Sequence, residues 1–252
     1  MRKCLSVSLI AALALLTGGP ARADDQADIK ALLAKAIKAL GGEDKLSKEK
    51  VFTAKFKGKF YMGENGIDYT MELFVQFPGQ AKSVISFEVN GMAFTVVSVL
   101  NKDKGWVKIG NDTMDLDKDR LAEEKEKMYA RSLEGLVMLK DKAYTLATVG
   151  EVKVGKHDAV GIKVSSKGHR DVNLFFDKKT GLLVKTETMV KKEGTDTEVS
   201  QEVIYEAYKE IDGIKRPMKL HIKQDGKKYV DVDETTEFKV EEKLDDSTFD
   251  KP

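Results

Sequence analysis

The chain has 252 residues, of which 34% are charged, yet its net charge is only +1. A surface so evenly balanced argues against nucleic acid or an anionic membrane as the main partner. Its single cysteine, Cys4, permits no intramolecular disulfide, so a hydrophobic core must hold the fold, and the length suits one all-β domain.

In chain order, Arg2 and Lys3 precede an apolar run from Leu5 to Leu16, and Ala21-Arg22-Ala23 follows it as a cleavage site. This pattern reads as an export signal over residues 1–23, leaving 24–252 as one exported domain. The run is shorter than the roughly 20 residues a membrane-spanning helix requires. Cys4 lies ahead of the run, where it cannot serve as a lipid-attachment site after cleavage. Removal of Arg2, Lys3 and Arg22 with the signal brings the net charge to −2.

Ile29, Leu32, Leu33, Ala36, Ile37 and Leu40 recur at helical spacing and predict a helix over 26–41, stopped by Gly41-Gly42. From Val51 the period changes to two. Phe52–Lys59 alternates weakly, whereas Tyr69, Met71, Leu73, Val75 and Phe77 alternate cleanly with polar neighbours. Asn65-Gly66 predicts the hairpin turn between these runs, and Phe77-Pro78-Gly79 ends the second. Strands follow over Ser83–Val89, Met92–Leu100 and Gly105–Ile109, joined as an antiparallel meander.

Met92–Leu100 is apolar on both faces, with Met92, Phe94, Val96 and Leu100 on one and Ala93, Val97 and Val99 on the other. It therefore needs cover on both sides, and the expectation is a helix on one side and a lipid-sized cavity on the other. That helix is predicted over about 118–139, with Asp119 early, Lys140 and Lys142 at its end, and a Glu123/Lys127 pair. From Tyr144 to about residue 240, strands return between turns at Lys167-Gly168, Lys179-Thr180-Gly181, Glu193-Gly194, Asp212-Gly213 and Asp225-Gly226. Roughly ten strands and two helices predict a mainly β (α+β) fold: a curved antiparallel sheet forming an incomplete barrel covered by helices.

Residues that carry chemistry are sparse. Asp115, Asp117, Asp119 and Glu126 match four positions of a calcium loop, but Arg120 occupies the place of its obligatory glycine and no incoming helix is evident, so they read as an acidic helix start instead. His157, His169 and His221 lie in separate segments without zinc-ligand spacing. No nucleophile elbow, zinc-protease motif, phosphate loop or dinucleotide fingerprint occurs. The expectation is a protein without catalytic residues, metal or cofactor. Asn111-Asp112-Thr113 has the pattern of a glycosylation site. The lysine runs are interleaved with acids, as on a solvated strand face. Trp106 either caps a ligand cavity or fills core.

Four stretches carry a resemblance: the strand ending in Phe77-Pro78-Gly79; the hairpin Asn101–Trp106; "FFDKKTGLLVKTE" from Phe175 to Glu187; and Tyr205–Ile222 with the closing "LDDSTFDKP". Together these resemble the LolA/LolB-like outer-membrane lipoprotein-sorting family, most closely its uncharacterised exported branch. The resemblance implies a periplasmic carrier whose apolar half-barrel shelters lipid or lipoprotein acyl chains, with a membrane-bound delivery or acceptor protein as a further partner. Such carriers place an arginine before the proline that ends the third strand. Here Phe77 stands there, which suits a free lipid or hydrophobic peptide. The lining expected on this basis is Met71, Leu73, Val75, Phe77, Phe94, Val96, Trp106, Leu133 and Leu136. The alternative on the same fold is an envelope sensor that holds a protein partner.

Overall fold

A computed structural model describes residues 23–192 and 194–252. The export-signal reading falls on residues outside this range, apart from Ala23, as does Glu193 of the predicted Glu193-Gly194 turn. Helix α1 (Ala23–Leu40) leads to a short α2 (Glu43–Leu46) and six strands: β1 (Val51–Met62), β2 (Asn65–Gln76), β3 (Gln80–Val89), β4 (Met92–Asn101), β5 (Lys104–Ile109) and β6 (Asp112–Asp115). Helix α3 (Lys118–Leu133) and a 3-10 turn (Val137–Lys140) cross to β7 (Tyr144–Val154), β8 (His157–Ser166), β9 (Val172–Asp177), β10 (Leu183–Lys191) and β11 (Glu198–Glu206). The small hairpin β12 (Lys209–Ile211) and β13 (Ile214–Arg216) precedes β14 (Lys219–Gln224) and β15 (Lys227–Val240), and a 3-10 turn (Asp246–Phe249) lies near the end.

Among the described residues, thirteen strands form one antiparallel sheet in the order β6-β5-β4-β3-β2-β1-β15-β14-β11-β10-β9-β8-β7. It is curved and unclosed, since β6 and β7 are its two free edges. Two meanders meet at the β1–β15 pair, which runs from Phe52 opposite Val240 to Phe60 opposite Val230, with register shifts after Lys55 and Lys57. The edges differ in kind. β6 has four residues, tied to the chain end by Thr113 and Asp115, which bond Pro252 and Lys251. β7 is long but shifts register between Thr148 and Gly150, and Gln26 of α1 donates to its Leu146 carbonyl.

The inner face of the sheet is the one that bears helices. On its second half, Ile29, Leu33, Ala36, Ile37 and Leu40 of α1 pack with Ile162, Val164, Leu174 and Phe176. Each large aliphatic side chain so buried contributes about 1.5–3 kcal/mol gross. On the first half, Met128 and Leu121 of α3 pack on Phe52, Leu73, Val75 and Leu100. The outer face of the first half carries Val97, Val99 and Trp106, covered by Leu244 and Phe249.

Several local expectations need correction. Asn65-Gly66 is already within β2; the turn is Gly63-Glu64, where Gly63 supplies the positive φ of 68°. The central helix ends at Leu133 rather than near 139, because Leu136 adopts φ 63° and the chain then tightens into the 3-10 turn. Glu123 turns inward, as described below. The helix and the open apolar surface lie on the same side of β4, not on opposite sides. Leu100 lies under α3 while Phe94 projects beyond it, and the second face of the strand is covered by the C-terminal segment.

Gly58 sits at the bulged crossing of β1 and β15, where an added Cβ would lie 1.9 Å from the Asp231 carbonyl oxygen. Gly58→Ala is expected to cost at least about 1–3 kcal/mol, read as a lowered midpoint in urea unfolding. Phe249 is fully buried against Trp106. Phe249→Ala is expected to cost about 3–5 kcal/mol and to shift Trp106 fluorescence to the red.

Candidate functional site

Antiparallel pairing puts opposed residues on one face, so the registers of β1 to β6 define rows across the inner surface. The row Phe52, Val75, Ala81, Leu100 is closed over by α3. Farther along the strands come Phe56, Met71, Ile85, Val96 and Ile109, then Tyr69, Phe87 and Phe94, then Phe60, Ile67, Val89 and Met92. These rows reach past α3. Met62, Met92, Phe94, Ile109 and Met114 are exposed there, and Phe60, Met71, Ile85, Phe87 and Val96 are half-buried. Phe87 stacks on Phe94 at 5.5 Å between centroids and meets Phe60 edge-on at 5.1 Å. The result is an open apolar trough, free of charged side chains between β1 and β5, on a chain that is otherwise rich in charge.

Helix α3 forms one wall of the trough and is held by polar contacts. Asp117 caps it, accepting from the Arg120 backbone N–H at 2.9 Å. Glu123 is buried and accepts from Arg170 Nη1 at 2.8 Å and from the Lys191 backbone N–H at 2.9 Å. Glu126 pairs with His169 Nδ1 at 2.8 Å and accepts from the Arg170 backbone N–H. Tyr129 stacks on His169 with centroids 3.8 Å apart, and burial pushes its phenol up to about 12. At the helix end, Tyr205 donates to Glu134 at 2.7 Å and lies 3.1 Å from the Thr186 hydroxyl. Enclosure raises the Glu134 carboxyl above its ordinary value, although Arg131 and Tyr205 pull the other way.

At β15, Arg216 forms a two-pronged pair with Glu49, and its guanidinium lies 3.8 Å over Phe238, which stacks on Phe52 at 5.0 Å. This layered contact anchors the β12–β13 hairpin to the sheet beside the core beneath α3.

The expected lining divides four ways. Met71, Phe94 and Val96 lie in the trough. Leu73, Val75, Leu133 and Leu136 are buried, the last three with no exposed surface, so side chains fill the space beneath α3. Phe77 packs at the margin of that core, 6.3 Å from Phe52. Trp106 is on the outer face, donating from Nε1 to Asp115 at 2.8 Å. Sequence reasoning missed Phe60, Met62, Ile85, Phe87, Met92, Ile109 and Met114. Their in-phase alternation was readable strand by strand, but their union needs the register.

Two hollows carry charged side chains at their walls, the second also touching Tyr69. One of about 370 Å³ beside α1 is lined by Lys35, Lys38, Glu210 and Lys215; the other, about 340 Å³ and next to Gly58, includes Lys57, Asp68 and Asp233. The three histidines each face a carboxylate: His157 with Asp177, His169 with Glu126 and His221 with Asp231. Burial pushes Asp177 up, but bonds from the Thr180 N–H and hydroxyl and from His157 overcome it and bring the carboxyl to about 2. Among the described residues, no helix is long and apolar enough to cross a membrane, and no cluster of three metal-ligating side chains occurs.

With this geometry established, solved structures with the same architecture can be compared. LolA superfamily protein NE2245 from Nitrosomonas europaea superposes with a TM-score of 0.57 at 14% identity, covering 88% of this chain and 97% of that one. The fold is LolA-like. A DUF1329 family protein from Desulfovibrio piger is similar at TM-score 0.55 and 18% identity, over 88% of this chain and 97% of that one. So is a domain described as that of an outer membrane lipoprotein-sorting protein from Vibrio parahaemolyticus, at 0.50 and 12%, over 86% and 97%. No family model and no curated protein sequence matches the chain.

Glu134 yields a pH dependence whose sign follows from its direction of shift. Its contribution to stability is fully present below the ordinary carboxyl value of 4.5 and is lost as pH rises through the higher value of the folded state. Urea titrations of the wild type and Glu134→Gln at pH 4 to 8 should show the wild type losing ground to the variant as pH increases. A pH-independent difference between the two would remove this assignment.

Proposed function

We propose that the protein is a non-enzymatic, extracytoplasmic binder of lipid or lipoprotein acyl chains, and that the trough on the inner face of β1 to β6 is its binding surface. The observation that carries this reading is the contiguous strip Met62, Met71, Ile85, Phe87, Met92, Phe94, Val96 and Ile109, exposed or half-buried beyond α3. Apolar surface of that extent is seldom left unpartnered on a soluble protein. The lane from β5 to β1 crosses four strand spacings, roughly 19 Å, which accommodates an extended acyl chain. Burying about fourteen methylenes is worth on the order of 10 kcal/mol gross before immobilisation costs. Thioether and phenyl groups adapt to several chain shapes, so discrimination among acyl lengths is expected to be weak.

The LolA-like fold supports a binding role, and its likeness to the outer membrane lipoprotein-sorting domain of Vibrio parahaemolyticus supports lipoprotein sorting as the context. The occupant then lies in an open trough and not in a sealed cavity, because Leu133 and Leu136 fill the interior. Trp106, on the outer face, takes no part.

A fluorescent fatty-acid probe titrated into delipidated protein tests this. Micromolar binding is expected. Phe94→Asp should weaken it at least about tenfold, since a charge would be desolvated beneath the chain. Trp106→Phe should leave it unchanged. Absence of probe binding sinks the proposal, and displacement of the probe by an apolar peptide but not by lipids would point to a protein partner instead.

A further inference from the structure

The exposed part of the trough is made largely of methionine. Met62 is 67% exposed, Met92 58% and Met114 45%, and Met71 is half-buried on the same face. Their partners across the strands, Asn65, Val89, Val107 and Ile85, place all four on the inner face. The remaining described methionines are disposed otherwise. Met128 is buried beneath α3, Met138 and Met218 are partly covered, and Met189, 42% exposed, lies on the outer face opposite Ser200. The chain has nine methionines and a single cysteine, Cys4. Thioethers are therefore the oxidisable sulfur that the trough presents.

Resting on the acyl-binding reading, we infer that Met62, Met92 and Met114 form a reversible oxidation site whose modification empties the trough. The co-reactant is a two-electron oxygen donor such as hydrogen peroxide. One peroxide oxygen is transferred to Sδ, the O–O bond breaks, an S–O bond forms and water leaves; sulfur loses two electrons and the peroxide gains them. The sulfoxide is strongly dipolar. Around Met92 the inner-face neighbours Val89, Phe87 and Phe94 offer it no side-chain hydrogen-bond donor, and Met62 faces only the Asn65 amide across its strand pair, so a hydrocarbon chain seated there must strip water from the sulfoxide. Leucine at these positions would bind hydrocarbon equally well and resist oxidation. Two thiol-dependent methionine sulfoxide reductases, one for each sulfoxide epimer, restore the surface: two thiols supply the two electrons and become a disulfide, the S–O bond breaks and the oxygen leaves as water.

The experiment treats the purified protein with a small excess of hydrogen peroxide and reads three things: the gain of one oxygen per methionine by peptide mass spectrometry, near-ultraviolet circular dichroism, and binding of the fluorescent fatty acid. Oxidation at Met62, Met92 and Met114 with an unchanged dichroism spectrum is expected to weaken binding at least about tenfold, and the two epimer-specific reductases with a dithiol to restore it. Whatever the starting affinity of the triple variant Met62→Leu, Met92→Leu, Met114→Leu, its ratio of binding after to before peroxide should stay near one, whereas Met189→Leu should lose binding on oxidation as the wild type does. Undiminished binding by the oxidised wild type, or loss of binding by the oxidised triple variant, overturns the inference alone. No binding before oxidation overturns the acyl reading and this inference with it.

Discussion

Everything in the molecule depends on one strand pair. β1 and β15 join two meanders that would otherwise be separate sheets, and they do so through residues far apart in sequence, Phe52–Phe60 against Val230–Val240. Two register shifts in that pair, and a glycine at position 58 where the Asp231 carbonyl comes closest, allow the sheet to turn at the seam instead of continuing flat. Bulges of this kind increase local twist. Because the seam bends the sheet, α1 and α3 can lie on the same face, each over the apolar cluster of its own half.

The trough follows from a mismatch in length. α3 covers the inner face over the row containing Leu100, but β1 to β5 run on for several residues. Four polar contacts from Glu123 and Glu126 fix where the helix stops on the sheet, and Tyr129 on His169 fixes its roll. A closed core and an open apolar floor are thus the same surface, divided by the position of one helix.

Much of this was legible in the sequence. Helical spacing located α1 to within a few residues, alternation located β2 to β5, and the curved antiparallel sheet with covering helices matches the LolA-like fold. What could not be read was direction. Alternation separates Met92, Phe94, Val96 and Leu100 from Val97 and Val99, but it does not say which set meets a helix, and the cover for the second set comes from Phe249, some 150 residues away. Trp106 was drawn into the expected lining for the same reason. Spacing places Leu133 and Leu136 on an apolar stripe, but whether they line space or fill it depends on the depth beneath α3, and here they are fully buried. Glu123 looked like one half of a surface pair because its true partner, Arg170, arrives from a distant loop.

A protein that displays a broad apolar surface risks assembling with its own copies, and strands are the usual route, since an unpaired edge is a template for another. Here both ends of the thirteen-strand sheet are spoiled for that purpose. β6 is four residues long and bound to Lys251 and Pro252, while β7 loses its register at Gly150 and has its Leu146 carbonyl taken by Gln26. Stickiness is thereby confined to the floor of the trough, perpendicular to the direction in which fibrils grow, so the surface can remain adhesive to a small guest without making the protein polymerise.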